Sequence, residues 1–247
     1  MKNNSVVMLR RNLRHTTRNP VAVFNAILFP VILMLMFVYV FGDAFDVGGD
    51  YLDYATPGML LLAVVYGLSA TIMAVNSDMT TGIINRFKVM DVSRGAVLNG
   101  HVVATILRTS LAILAVLSVA LLLGYRPQAS ALQGLSAAGV LLLVVTAVSW
   151  LSVALGLAAK TAETAAFSGV PLVMLPFFSS AIVPADAMGT GVRQFAEYQP
   201  FTSIIESLRG FLAGSPDLTQ TWVAIAWSAG IILLSLVWSG RKFSQRA

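Results

Sequence analysis

VAVFNAILFPVILMLMFVYVF, residues 21–41, decides how the rest of the chain is read. It carries no charged residue, and as a helix it is long enough to cross a hydrocarbon core of roughly 30 Å. Its flanks are opposite in character. Lys2, Arg10, Arg11, Arg14 and Arg18 precede it without an acid, whereas Asp43, Asp46, Asp50 and Asp53 follow it without a base before Pro57. Basic flanks stay on the cytoplasmic side, so the segment is expected to run outward from a cytoplasmic N-terminus. A cleaved signal peptide shares the basic start. Here the apolar run is long and ends FGDAFDVGGD without a convincing cleavage site, so an uncleaved first span is expected.

Composition carries that reading to the whole chain. Of 247 residues, 57% are hydrophobic and 11% are charged, with a mean hydropathy of +0.81. Soluble domains carry about a quarter charged residues. The polar surface is too small to cover a water-soluble globule, and an all-α polytopic membrane protein follows. The net charge of +5 sits mostly beside proposed membrane boundaries, where topology accounts for it without nucleic acid. Cysteine is absent, which excludes disulfides, thiol nucleophiles and cysteine metal sites.

Taken in order, residues 5–19 read as an amphipathic interfacial helix, with Val6, Leu9 and Leu13 on one stripe and Arg10, Arg14 and Arg18 on another. It either lies among lipid headgroups or touches a cytoplasmic partner. Pro20 suits the first turn of the next helix, and Pro30 should kink it. The aspartates of residues 42–56 lack calcium-loop spacing and read as a solvated outer loop. A second span is expected over residues 57–76.

Residues 77–99 return the chain to a basic side, where Arg86, Lys88 and Arg94 outnumber Asp78 and Asp91. Ile83, Phe87 and Met90 recur at helical spacing, which predicts a short cytoplasmic helix, either packed on the membrane or offered to a partner. The third span falls within residues 101–123. Arg108 is expected close to its end, snorkelling to the interface, with His101 interfacial rather than a proton relay. The fourth span is residues 137–159, with Lys160 at its exit.

The fifth, residues 165–183, is interrupted by Pro171 and Pro176. Broken backbone must be shielded by protein or line a watery cavity. The run PFFSSAIVP is therefore either part of a transport path or a structural kink. Residues 184–219 form the longest loop, expected outside. Within it Phe201, Ile205, Leu208 and Leu212 keep helical spacing between Pro200 and Gly214, predicting a short helix in the outer, membrane-facing layer. Glu206 and Arg209 on that helix either pair or face water. A sixth span, residues 221–238, is bounded by Trp222 and Trp238, and Arg241, Lys242 and Arg246 place its exit in the cytoplasm. Six crossings put both termini inside.

No residues for chemistry emerge. There is no G-x-x-x-x-G-K-[ST] phosphate loop and no HExxH pair, and His15 and His101 belong to different elements. No catalytic, cofactor-binding or metal-binding residue is assigned. ATP-driven transport would need a second polypeptide.

Three stretches carry a family likeness: the basic entry before NPVAVFNAILFPVILM, the inner GIINRFKVMDVSRGAVLNGHVVA, and VPLVMLPFFSSAIVPADAMGTGVRQFAEYQPFTSIIESLRGFLAG. Together they resemble the permeases of the ABC-2 exporter family, daunorubicin-resistance-type branch. Members often have glutamate where this chain has Thr80 and Thr81, and SG where it has Ser179 and Ser180.

The resemblance implies one permease domain over residues 1–247 with six transmembrane helices in the bacterial cell membrane. It implies pairing with a second permease, a copy or a relative, and with cytoplasmic ABC ATP-binding subunits that hold ATP and Mg. Drugs, natural products, lipids or glycans are the implied exported substrates. By the same analogy Arg10, Arg14, Arg18, Ile83, Arg86, Phe87, Lys88 and Met90 face the ATPase. Pro171, Pro176, Phe177, Ser179, Phe201, Ile205, Glu206, Leu208 and Arg209 shape the gate or path. An ATP-independent secondary transporter and a membrane scaffold that moves nothing are the competing readings.

Overall fold

The computed structural model describes residues 20–45, 47–81 and 94–246, and every regular element among them is helical. The stretch 5–19 and the heart of the 77–99 connection lie outside the described residues. So do the candidate coupling residues Arg10, Arg14, Arg18, Ile83, Arg86, Phe87, Lys88 and Met90.

Helix α1, Pro20–Met36, starts on a proline, which lacks an amide donor that the first turn could not use. It passes into a π-turn, Phe37–Phe41, and a 3-10 turn, Gly42–Ala44. Helix α2, Tyr51–Tyr66, begins six residues before Pro57, so the end of the expected acidic loop is helical. The reason is capping. The Asp50 carboxylate accepts the Leu52 N–H at 2.8 Å, and Asp53 sits in the first turn, where the helix end favours negative charge.

The helical run breaks for one residue at Gly67 and resumes as α3, Leu68–Thr80. After the connection come α4, Arg94–Leu123, and α5, Ala131–Ala158, the latter opened by a reciprocal Ser130–Gln133 capping box. The fifth segment is fragmented into α6, Ala162–Ser168, α7, Val170–Met174, and a 3-10 turn, Leu175–Phe178. A further 3-10 turn, Ala185–Ala187, leads to α8, Thr190–Tyr198, then α9, Pro200–Leu212, and α10, Leu218–Arg246.

Among the described residues, four helical stretches are long and apolar enough to cross a membrane: Tyr51–Thr80, Val97–Leu123, Ala131–Ala158 and Leu218–Lys242. Two shorter apolar stretches, Ile27–Phe41 and Ala162–Phe178, stand where the first and fifth crossings are expected. Burial sorts the long four. The most apolar windows of the first and third are 72% and 61% buried, against 28% and 22% for the second and fourth. The α2–α3 pair and α5 therefore form the centre of the bundle. α4 and α10 flank it and turn Leu107, Leu111, Leu114, Leu233 and Leu234 outward. In water such faces would associate; in lipid they are already in a matching solvent.

At Gly156 of α5 the central helices approach closely, since a Cβ there would lie 2.7 Å from the Ile72 carbonyl oxygen.

Helix α9 packs against the second span. At its start Pro200, Phe201 and Ile204 line a small internal cavity with Val65 and Leu68, halfway along the second span. Near its end Arg209 reaches Tyr54, close to the Asp50 end of that span. The chain thus reaches the Tyr51 end of the second span at Ile182, comes to the middle of that span at Pro200 and returns to the same end along α9. Its broad apolar side dictates this. Phe201, Ile204, Ile205, Leu208 and Phe211 are all buried in the main core.

Candidate functional site

The break in the fifth segment defines the site. Between the 3-10 turns Leu175–Phe178 and Ala185–Ala187 the backbone leaves the helix, so its carbonyls lose their intrahelical donors. At membrane depth each orphaned group costs several kcal/mol. Side chains supply the missing donors. Gln199 Nε2 donates to the Leu175 carbonyl at 3.2 Å and to that of Phe178 at 2.5 Å. Ser179 Oγ donates to the Pro176 carbonyl at 2.5 Å and accepts the Ala181 N–H at 3.2 Å. The Tyr54 hydroxyl donates to the Ser180 carbonyl at 3.0 Å, and the Tyr51 hydroxyl to that of Ile182 at 3.2 Å. Thr202 Oγ1 accepts the Ser180 N–H at 3.4 Å.

Arg209 is the hub. Its Nη2 donates to the Ser180 carbonyl at 2.8 Å and to that of Tyr54 at 3.2 Å, while Nη1 binds Glu206 one turn back. Its guanidinium carbon sits 3.8 Å from the centroid of the Tyr54 ring, in cation–π geometry. Ring contacts run on from there through Tyr51, Phe45 and Phe41 to Phe37, at centroid separations of 5.6–6.5 Å. One aromatic line therefore ties α1 to the α9 arginine. Beside it Tyr125, outside the spans, is pushed up to about 12, first by burial and then by the Asp53 carboxylate, so its phenol stays neutral.

The candidate gate residues divide. Pro176, Ser179, Glu206 and Arg209 gather at the break, and Phe177 packs against the core behind it. Phe201, Ile205 and Leu208 are 6%, 0% and 1% exposed, so their faces are filled by this chain and are not open to a second copy. Pro171 faces away from them. With Met174, Leu175, Phe178, Val192 and Phe195 it lines an open apolar groove of about 380 Å³. The Phe178 and Phe195 rings meet edge to face there, 6.5 Å apart.

Sequence reasoning missed Tyr51, Tyr54, Gly58 and Gln199. The signal for the tyrosines was their spacing, which puts both on one face at the start of a capped helix.

Two more groups lie away from the break. At the opposite end of the second span, His101 Nε2 and Asp78 Oδ2 are 3.1 Å apart and both residues are buried. Asn76 Nδ2 donates to the Ala159 carbonyl at 2.6 Å nearby. Asp78 and His101 stand on either side of the 82–93 connection, so their contact closes its base. His101 is thus buried against Asp78 near the end of the second span.

Arg108 also departs from expectation. α4 begins at Arg94, which puts Arg108 midway along a 30-residue helix and about 20 Å from either end at 1.5 Å per residue. Its guanidinium turns into the bundle and not toward either helix end. Its Nη2 donates to the Gly67 carbonyl at 2.9 Å and to Thr71 Oγ1 at 2.6 Å, at the break in the second span. Among the described residues no group of three or more His, Asp or Glu side chains is placed to hold a metal ion.

Comparison with known proteins gives this arrangement its context. The family model described as ABC-2 type transporter matches residues 4–212. The chain is 29% identical over 215 residues to the daunorubicin resistance ABC transporter permease protein DrrB1 of Streptomyces coeruleorubidus, covering 86% of this chain and 76% of that one. It is 27% identical over 237 residues to the probable doxorubicin resistance ABC transporter permease protein DrrC of Mycobacterium tuberculosis H37Rv, covering 94% and 85%.

Proposed function

Because the chain belongs to the ABC-2 type transporter family, we propose that it is the membrane permease subunit of an ATP-driven exporter that moves hydrophobic or amphiphilic molecules out of the cytoplasm. The observation that carries this reading is the broken fifth segment, held at its outer end by Arg209, Tyr54 and Tyr51 beside an apolar groove. Backbone bent out of helix at membrane depth is tolerated where protein buries it or where it lines a watery cavity, and here Ser179, Ser180 and Ala181 are buried. Here it is tied by side chains from other elements, and such ties exchange without unfolding a helix.

Relatives named as drug-resistance permeases support the cargo class. The chain performs no catalysis of its own in this reading. A cytoplasmic ABC ATP-binding subunit supplies ATP and Mg, docking on the basic residues 5–19 and 82–93, and a second permease, identical or related, completes the pathway. Six crossings with both termini in the cytoplasm fit the charge pattern. ATP binding favours one arrangement of the paired permeases, and the substrate is moved because its affinity differs between arrangements.

One observation favours a proton-driven transporter instead: the buried Asp78–His101 contact is the kind of pair a relay uses. A single experiment separates the two. The permease is purified with its candidate ATP-binding subunit, reconstituted in vesicles, and tested for substrate-stimulated ATP hydrolysis and transport. ATP-dependent transport without an imposed pH gradient is the expected result. Transport that follows the gradient and ignores ATP would overturn the exporter reading.

A further inference from the structure

Arg108 stands on the line between the buried and the outward sides of α4. Ala104, Thr105 and Ala112 beside it are buried, Leu107 and Leu111 are exposed, and Arg108 itself is half-buried. Its Nη2 is fully engaged, with one bond to the Gly67 carbonyl and one to Thr71 Oγ1. Neither acceptor needs a cation. Gly67 is helical in φ and ψ, and as the residue before α3 its carbonyl already takes the first bond of that helix. Thr71 Oγ1 lies 2.7 Å from Thr105 Oγ1, whose hydroxyl donates to the His101 carbonyl at 2.8 Å. Without the arginine, Thr71 still donates to Thr105 and the line still ends on that carbonyl.

The charge is therefore not explained by what it holds. A cation among membrane-spanning helices is costly, and it marks a functional site when its partner can be named. That partner does not come from this chain. Among the described residues no carboxylate pairs with Arg108. Nε and Nη1 bond to nothing there, and of the two only Nε is sealed within the protein. One end of the fork is clamped by two acceptors, and the other keeps two N–H groups open. Such a group is set for an oxygen that brings its own negative charge, because guanidinium bonds to carboxylate or phosphate are charge-assisted. Leu107 and Leu111, on the same helix, offer exposed apolar surface to the body that such a head carries.

We propose that Arg108 is a binding residue for acidic amphiphiles: Nη1 takes the carboxylate or phosphate head, and the exposed leucines of α4 take the hydrocarbon body. Entry is sideways, along the outward face of α4. Nη2, held by Gly67 and Thr71, fixes the direction of the fork. This rests on the exporter reading above and names its cargo as anionic. Amine-bearing amphiphiles of the same size are repelled by the same charge.

The binding arm of the test uses the purified permease in discs of phosphatidylcholine, with the signal of empty discs subtracted. The probes are dansyl-undecanoic acid and the dansyl alkylamine of matching length, at a pH of about 8, where one is anionic and the other cationic. Saturable binding of the acid, about tenfold or more tighter than of the amine, is expected. Arg108→Gln should remove that difference, and Arg108→Lys should keep part of it. Arg126→Gln, which changes an exposed cation elsewhere, should leave it intact. Equal affinity for acid and amine in the unsubstituted protein overturns the proposal, whether or not Arg108→Gln inserts. So does a preference for the acid that survives in folded Arg108→Gln.

The transport arm adds the ATP-binding subunit in vesicles. ATP-dependent movement of the acid, reduced about tenfold in Arg108→Gln, is expected. Arg108-dependent binding without such movement, in a complex that moves another amphiphile with ATP, means a resident acidic lipid and overturns the cargo assignment. A complex that moves nothing with ATP overturns the exporter reading instead. The binding arm, read on the permease alone, still decides whether Arg108 holds an anion.

Discussion

A Cβ placed on Gly58 would lie 2.5 Å from the carbonyl oxygen of Ala181 and 2.7 Å from its Cα. The second span and the non-helical part of the fifth therefore meet backbone against backbone, with no side chain between them. Both partners of the clash are main chain, so no rotamer change relieves it. Gly58→Ala is expected to cost about 1–3 kcal/mol, as overpacking does. The lost contact also strains the Tyr51 and Tyr54 bonds to the segment. The thermal midpoint of the purified protein should fall, while Gly139→Ala, with nothing within 4 Å of its Cβ, should hold it or raise it slightly because alanine is the better helix former. Equal midpoints for the two variants would show that the approach carries no load.

Arg209→Met should loosen the outer end of the break. It removes the donor to the Ser180 and Tyr54 carbonyls and leaves Glu206 without its cation. Bonds to charged groups contribute about 1.5–3 kcal/mol, so hydrogen exchange across residues 179–183 is expected to speed up well over tenfold. Glu206→Gln keeps the guanidinium in place and should have a smaller effect. Exchange in that segment at the wild-type rate in Arg209→Met would remove Arg209 from the hub.

The Asp78–His101 contact makes a prediction about partnership between residues. Asp78→Asn and His101→Gln each disturb the base of the 82–93 connection, and the double variant should cost less than the two together. An interaction energy of about 1 kcal/mol is expected in substrate-stimulated ATP hydrolysis, with membrane insertion normal. Strict additivity would mean that the two residues act independently.

Topology is checked by reporters fused along the chain. Fusions after Arg18, near Arg86 and after Lys242 should score cytoplasmic, and fusions near Asp50 and Gly191 external. Modification of a cysteine at Asp50 only from the cytoplasmic face would invert the map and exchange the proposed ATPase-facing and exit ends.

Hydrophobic runs and the two prolines of the fifth segment were legible because they are local, and an all-helical chain with several apolar helices follows them. Pro20 opens α1, and the helix broken by Pro171 and Pro176 ends at Phe178, whereas the Ser130 cap that starts α5 at Ala131, ahead of the expected 137, went unread. What stayed hidden depends on partners distant in sequence. Nothing near Arg108 reveals that its acceptor lies 41 residues earlier at Gly67, so a surface reading was natural for a lone arginine in an apolar run. Likewise Glu206 and Arg209 look like an exposed pair until Tyr54, 155 residues away from Arg209, supplies the ring beneath the guanidinium. The apolar side of helix α9 was visible for the same reason that its partners were not: the side is local, and the cleft that receives it is built by other segments.

The ties across the fifth segment fall mostly on carbonyl oxygens: Leu175, Phe178, Ser180 and Ile182 are each held by the one group every residue possesses. The frame is thus blind to side-chain identity at these four positions and strict about Gln199, Tyr54, Tyr51 and Arg209, which do the holding. Leu175 and Phe178 also line the apolar groove. Their side chains can be exchanged to change what the groove accepts while the backbone that carries them keeps its moorings. On the exporter reading proposed above, a chain built this way separates the part that must stay fixed from the walls offered to cargo, and diversification of substrate range becomes a matter of repainting two walls with no need to redesign the doorway.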